Sequence, residues 1–352
     1  MDRDSLLFKK VYGCLLGGMI GDAMGAPAEG KTYEQIRESF GWIDDFDGSG
    51  TDDSAIKLIL CEAILKHKGY VSADEFAEAF LNNKENYYDY FYIPVKNMFH
   101  KIESGLSLPV YAGMGNMHSS SSAMAISPMG LINACNPRRA ALETYDVAGL
   151  IHGAEATFCR DGACAMAAAV AEAMKADATV DSVLEASWKY LHSKSSKVMV
   201  DCIRSTLDLA KSAGTYEAFR EEFYMTCLRD IISDSRETVP CVLALFMLAK
   251  GDTMTAVTYS ANFGRDADTI GTMAGALCGA LNGIENIKPE WVAKVEASYG
   301  KVQQSSKDEY APTAARNPNQ AELAEKLIEV ICLKAEAEKK NLETLDALVI
   351  QR

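Results

Sequence analysis

The chain has 352 residues, with 35 Lys+Arg against 49 Asp+Glu for a formal net charge of −14, and 48% of its residues are hydrophobic. This balance is that of a globular chain with a substantial core and excludes disorder as the main state. The acidic surplus argues against nucleic acid as a partner, because binding a phosphate backbone requires a cationic face; it leaves open a small anionic ligand held in one cleft.

In chain order, the N-terminal stretch MDRDSLLFKKVYGCLLGG is broken by glycine and followed by Asp22, so it reads neither as a cleavable leader nor as a membrane span. A cytoplasmic location and no membrane partner are the expectation. Gly17 to Gly30 (GGMIGDAMGAPAEG) is glycine-rich and places Asp22 and Glu29 among small residues. A second acidic turn, Asp47 to Ser54, carries Thr51, Asp52 and Asp53 and opens a helix over 52–66, where Ala55, Ile59 and Ala63 recur at four-residue steps and predict an amphipathic helix with a wide apolar face. Gly113 to Gly130 (GMGNMHSSSSAMAISPMG) is a glycine- and serine-rich stretch between apolar segments. Ala163–Lys175 is an alanine-crowded helix suited to close packing, and Val239–Lys250 reads as another helix. The third acidic turn, Asn262 to Gly271, holds Asp266, Asp268 and Thr269 before a small-residue helix over 271–283. A charged helix over 321–345 closes the chain, packed on the body or extending it. Alternating β-branched runs are nearly absent, so the expectation is an all-α fold in a single multi-helix domain over 1–352. Ten cysteines include no CxxC pair, and Cys159 and Cys164, the closest two, lack zinc-ligand spacing; they predict free thiols in a reducing compartment.

Each acidic turn has a structural reading of its own. Thr51 and the aspartates after it suit a helix start, where hydroxyl or carboxylate oxygens satisfy free N–H groups, and Asp266 or Asp268 could cap the next helix in the same way. The DxD of the third turn resembles the start of a calcium loop, but the remaining EF-hand ligands are missing. Together, however, the two turns offer four carboxylates and two threonine hydroxyls, hard oxygen ligands suited to Mg²⁺, Mn²⁺ or Ca²⁺ rather than zinc. If they meet, cations are the natural counter-charge; spacing alone does not decide whether they meet. Ser119–Ser122 have no identifiable base nearby, which sets them aside as nucleophiles.

GxxxGDAMGxPxE (Gly17–Glu29), TDDS (Thr51–Ser54) and NFGRDADTIGxMAGAxxGA (Asn262–Ala280) together resemble the ADP-ribosylglycohydrolase family, relatives of the dinitrogenase reductase-activating glycohydrolase, over about residues 10–295. The resemblance implies an all-α fold with two Mg²⁺ or Mn²⁺ ions held by Thr51, Asp52, Asp53, Asp266, Asp268 and Thr269. It makes Asp22 a structural carboxylate rather than a ligand, and Glu29, Asp53 and Asp268 the carboxylates that would act in catalysis. By the same resemblance Asn116, His118, Ser119, Ser120, Ser121, Ser122 and His152 would contact substrate, the serine loop cradling a diphosphate with its backbone N–H groups. The implied reaction is metal-dependent hydrolysis of an N- or O-glycosidic bond at C1 of a ribose, the partner being an ADP-ribose-containing small molecule or an ADP-ribosylated protein. Ala125 follows Met124 where many members carry arginine, which keeps open a related hydrolase of a small nucleoside or nucleotide conjugate. A non-catalytic member that keeps only the fold is the third possibility, and six candidate ligands weigh against it.

Overall fold

The computed structural model describes residues 2–47, 50–298 and 318–350, and among them the chain forms eighteen α-helices and no strand. Gly48 and Ser49, part of the second acidic turn, lie outside the described residues. Two helices with almost every side chain buried make the centre. The first, Leu6–Gly25, starts where the Ser5 hydroxyl accepts from Phe8 N–H. It lies antiparallel against Ala267–Asn282, and small residues are the reason the two come so close. A Cβ added at Gly17 would stand 2.2 Å from the Gly275 carbonyl oxygen, and one at Gly21 would stand 1.9 Å from that of Gly271. Gly13 meets Gly279 and Gly25 meets Ala267 in the same row. Every fourth residue is small, so one face of each helix is bare backbone.

The Asp52–Lys66 helix has the predicted boundaries but not the predicted amphipathicity. From Asp53 to Ile64 only Glu62 is exposed. A helix surrounded on all sides needs no polar face, and what looked like a broad apolar stripe is an interior helix. The cost is Lys57, fully buried with no hydrogen-bond partner for its ammonium. The alanine-rich segment lies within Thr157–Ala173, again buried on nearly all sides. The helix expected from Val239 starts earlier, at Ser235, because the Asp234 carboxylate caps it by accepting from Arg236 N–H at 2.8 Å. Pro240 sits inside that helix.

The last helix, Gln320–Ile350, packs its first half on the body through Ala324, Leu327 and Ile328. Lys334 fastens it by an ion pair to Glu143 at 2.7 Å, and Arg139 bridges Glu143 and Glu338. All ten cysteines are free thiols, and no described helix is long and apolar enough to cross a membrane.

Candidate functional site

The central helix pair brings the first and third motifs side by side, and the backbone between them finishes the placement. Gly30 N–H donates to the Arg265 carbonyl at 2.8 Å and Arg265 N–H donates to the Lys31 carbonyl at 2.8 Å. Arg265 adopts φ 62°, a left-handed conformation that costs a side-chain-bearing residue energy and is held here by those two bonds. Its guanidinium turns away from the acidic turn to clasp the Glu237 carboxylate at 2.7 and 3.0 Å. Asn262 locks the turn from its other end, accepting from Ile43 N–H at 2.9 Å and donating to the Ile43 carbonyl at 2.7 Å. As a result Glu29, Asp266 and Asp268 offer carboxylate oxygens within 4.8 Å of one another.

Asp22 supplies the link to the second motif. Its buried carboxylate accepts four hydrogen bonds, from the backbone N–H and the hydroxyl of both Thr51 (2.9 and 2.8 Å) and Ser54 (3.0 and 2.5 Å). This fixes the start of the Asp52–Lys66 helix, where the Thr51 hydroxyl also accepts weakly from Asp53 N–H at 3.4 Å. The capping reading of Thr51 therefore holds alongside any ligand role. The Thr269 hydroxyl then reaches Asp53 Oδ2 at 3.4 Å across the two turns. Asp266, by contrast, precedes its helix without a side-chain capping bond, and Asp268 accepts only from its neighbour, Thr269 N–H, at 3.0 Å.

These groups line one cavity of about 260 Å³. Glu29, Thr51, Asp52, Asp53, Asp266, Asp268 and Thr269 form its acidic floor, Ser120 and Ser121 one wall, and Tyr90, Phe91 and Tyr92 another. The Ser120 hydroxyl donates to Asp266 Oδ2 at 3.0 Å, so wall and floor are joined. No Lys, Arg or His lines the cavity among the described residues. Burial, with the charges of Asp22 and Glu29 beside it, pushes Asp52 up to about 7; burial and Glu29 do the same to Asp266. Asp53 and Asp268 are held well above the ordinary carboxylate range by burial and by neighbouring carboxylates. Asp53 Oδ1 is buried with no hydrogen-bond partner. Crowded hard oxygens, an orphaned carboxylate oxygen and no lining base fit divalent cations, for which Thr51, Asp52, Asp53, Asp266, Asp268 and Thr269 are the available donors.

The proposed substrate contacts divide. Ser120 and Ser121 face the cavity, whereas Asn116, His118, Ser119, Ser122 and His152 do not line it. His152 is fully buried, with Nε2 3.0 Å from the Ser119 hydroxyl and Nδ1 2.8 Å from that of Ser122. Burial drives its pKa down to about 3, so the ring is neutral and serves as a post on which the serine loop is folded. Ser235 holds the same loop by donating to the Ser119 carbonyl at 2.7 Å. Asn116 spends its amide on the Pro94 and Ile151 carbonyls at 3.0 and 2.7 Å, and the His118 ring packs edge-on against Phe158. Against the expectation of direct substrate contact, these side chains lie outside the cavity lining, and those of Ser119, Ser122 and His152 are hydrogen-bonded to one another within the loop and its support. Sequence reasoning missed the aromatic wall, although the run Tyr87-Tyr-Asp-Tyr-Phe-Tyr92 is conspicuous once sought. Ala125 is buried beside the cavity-lining Met124 and does not itself line the cavity.

The family model for ADP-ribosylglycohydrolase matches residues 3–332. Among curated proteins, YegU of Escherichia coli K12, an uncharacterised protein, is 28% identical over 339 residues, covering 89% of this chain and 98% of its own. An uncharacterised protein of Archaeoglobus fulgidus is 37% identical over 79 residues, 20% of this chain and 26% of that protein. Of solved structures, one titled ADP-ribosylglycohydrolase-related protein complex superposes with a TM-score of 0.65 at 18% identity, covering 92% of this chain and 98% of the other.

Proposed function

Because the chain belongs to the ADP-ribosylglycohydrolase family, we propose that it is a metal-dependent hydrolase cleaving the N- or O-glycosidic bond at C1 of a ribose in an ADP-ribosylated substrate. One observation carries the reading: the cavity is lined by six carboxylates, from Glu29, Asp52, Asp53, Asp89, Asp266 and Asp268, and by no base among the described residues. Such a site binds a diphosphate-bearing ligand only when cations intervene. Two bound Mg²⁺ or Mn²⁺ ions would supply Lewis-acid polarisation of sugar and water oxygens. The residues supply the rest. Thr51, Asp52 and Asp53 on one turn, and Asp266, Asp268 and Thr269 on the other, are donors already held in place by Asp22 and by the backbone bonds of Arg265. Glu29, at the edge of the cluster, is placed to stabilise the positive charge that develops on the ribose ring as the bond breaks, with Asp53 and Asp268 completing the negative field. Tyr90, Phe91 and Tyr92 close one side against water, and the Ser120 backbone N–H and the Ser121 hydroxyl on the serine wall are the donors for phosphate oxygens, the Ser121 N–H being spent on the Ser119 hydroxyl. A cytoplasmic location accords with ten unpaired cysteines.

The cavity of about 260 Å³ is small for a whole dinucleotide-sized ligand. That favours a second reading, a hydrolase of a small nucleoside or nucleotide conjugate. Incubation with ADP-ribosyl-arginine, ADP-ribosyl-serine, O-acetyl-ADP-ribose and simple nucleosides, with Mg²⁺ and with Mn²⁺, tests both. Release of ADP-ribose supports the first, turnover of nucleosides alone the second. No product from any of them with either metal refutes a hydrolase of this class.

A further inference from the structure

The C-terminal helix carries a feature unrelated to the cavity. Ala324, Leu327, Ile328 and Ile331 pack on the body, and at 100° per residue the same helical face continues outward through Leu342, Leu345 and Val349. Those three side chains are 61%, 57% and 69% exposed. The last fastening to the body is the ion pair of Arg139 with Glu338; beyond it, every described residue from Lys339 to Val349 is exposed. About 16 Å of helix at 1.5 Å per residue thus carries the interior face out into solvent. Positions 331, 335, 338, 342, 345 and 349 follow the alternating four-and-three spacing of a coiled-coil seam, with Ala335 and Glu338 between the part packed on the body and the exposed apolar positions Leu342, Leu345 and Val349.

The charges beside the seam say what covers it. Lys339 and Asp346 lie seven residues apart on the same flank, while Asn341 and Leu348 occupy the opposite flank. In a parallel pair each flank faces the other, so Asp346 would meet Asn341 and no ion pair forms. In an antiparallel pair like flanks face each other, and Lys339 of each helix meets Asp346 of the other, twice by symmetry. In that register Leu342 of each helix meets Leu345 of the other, between the two charge pairs. We propose that the chain dimerises through its C-terminal helix, residues 339–349 of two copies packing antiparallel about a twofold axis.

Size-exclusion chromatography with light scattering and sedimentation velocity on the full chain test this, with circular dichroism to confirm that each variant is folded. The expected result is a concentration-dependent dimer in the micromolar range. Leu345→Glu should give a folded monomer with unchanged hydrolase activity. Asp346→Lys should weaken association about tenfold, and Lys339→Asp added to it should restore the dimer by exchanging the two charges. A chain that stays monomeric at about 100 μM overturns the proposal. So does a dimer indifferent to Leu345→Glu, which would place the interface elsewhere, or a charge exchange that fails to restore association, which would exclude the antiparallel arrangement.

Discussion

Gly21→Ala probes the contact on which the whole site hangs. The added methyl would stand 1.9 Å from the Gly271 carbonyl oxygen and 2.3 Å from its carbon. Since unstrained contacts with carbon lie near about 3.5 Å, the two central helices must part locally by about 1.5 Å. Neither can yield cheaply, because the atom met is backbone and both helices are buried along their length. Overpacking of this kind costs about 1–3 kcal/mol, and a rigid neighbour puts the cost at the upper end. Alanine returns about 1 kcal/mol of helix propensity, so the net loss is about 2 kcal/mol. Unfolding entropy of about 2.1 cal/mol/K per residue converts that to a fall of about 3 °C in melting temperature for a chain of this length. The functional effect should exceed the thermal one, because Asp22 follows Gly21 directly and Asp268 lies one turn before Gly271. Metal affinity, measured calorimetrically, should fall at least about tenfold, the usual scale for disturbing groups that orient ligands. Gly162→Ala is the control: it makes the same chemical change within a helix, but its methyl meets the Val239 and Met199 side-chain methyls at 3.1 and 3.3 Å, which can move aside. It should stay within about 0.5 kcal/mol of the parent. A Gly21→Ala protein that melts no lower than Gly162→Ala and binds metal normally would refute the reasoning.

Three further outcomes follow from the same geometry. Asp268→Asn keeps a side chain of equal shape and an acceptor for Thr269 N–H, so the metal-free protein should melt within about 0.5 kcal/mol of the parent while metal affinity and turnover drop steeply; normal turnover at limiting metal would remove Asp268 from the ligand set. Without metal, Asp52 and Asp266 near about 7, and Asp53 and Asp268 raised as well, exceed their unfolded values, so the stability their protonated forms lend is complete below about pH 4 and, for Asp52 and Asp266, is lost as pH rises through about 7. Cations bind the ionised forms, hence the rise in melting temperature given by Mg²⁺ or Mn²⁺ should grow between pH 5.5 and 8; a gain independent of pH, or none, would contradict it. His152→Ala leaves two buried serine hydroxyls and a cavity, which should cost about 2–4 kcal/mol by chemical denaturation; full stability with lost turnover would instead return His152 to substrate contact.

The two acidic turns that line the cavity were each legible in the sequence because Thr-Asp-Asp and Asp-Ala-Asp-Thr each sit on one turn, where order along the chain nearly fixes neighbourhood in space. The start of the Asp52–Lys66 helix was legible for the same reason, since it is written by Thr51. What the sequence hid depends on contacts between distant segments. Lys57 reads as the polar punctuation of an amphipathic helix until the first helix, at Gly18, closes over it. His152 reads as a ligand until two serines thirty residues earlier absorb both ring nitrogens. Tyr90–Tyr92 become a wall only because the segment folds over a floor built from both ends of the chain.

The closeness of the Gly21 and Gly271 backbones has a consequence for biosynthesis. The partners are about 250 residues apart, so at about 5–20 residues per second the first helix waits roughly 12–50 s for the strip of backbone it is shaped to meet. During that interval an almost wholly apolar segment, bare of side chains along one face, has no native neighbour to cover it. The acidic cluster cannot assemble early either, since Asp53 is made long before Asp268. Productive folding is therefore tied to completion of the chain at least through residue 282, and stalled or truncated products should be aggregation-prone clients of chaperones rather than partly active fragments.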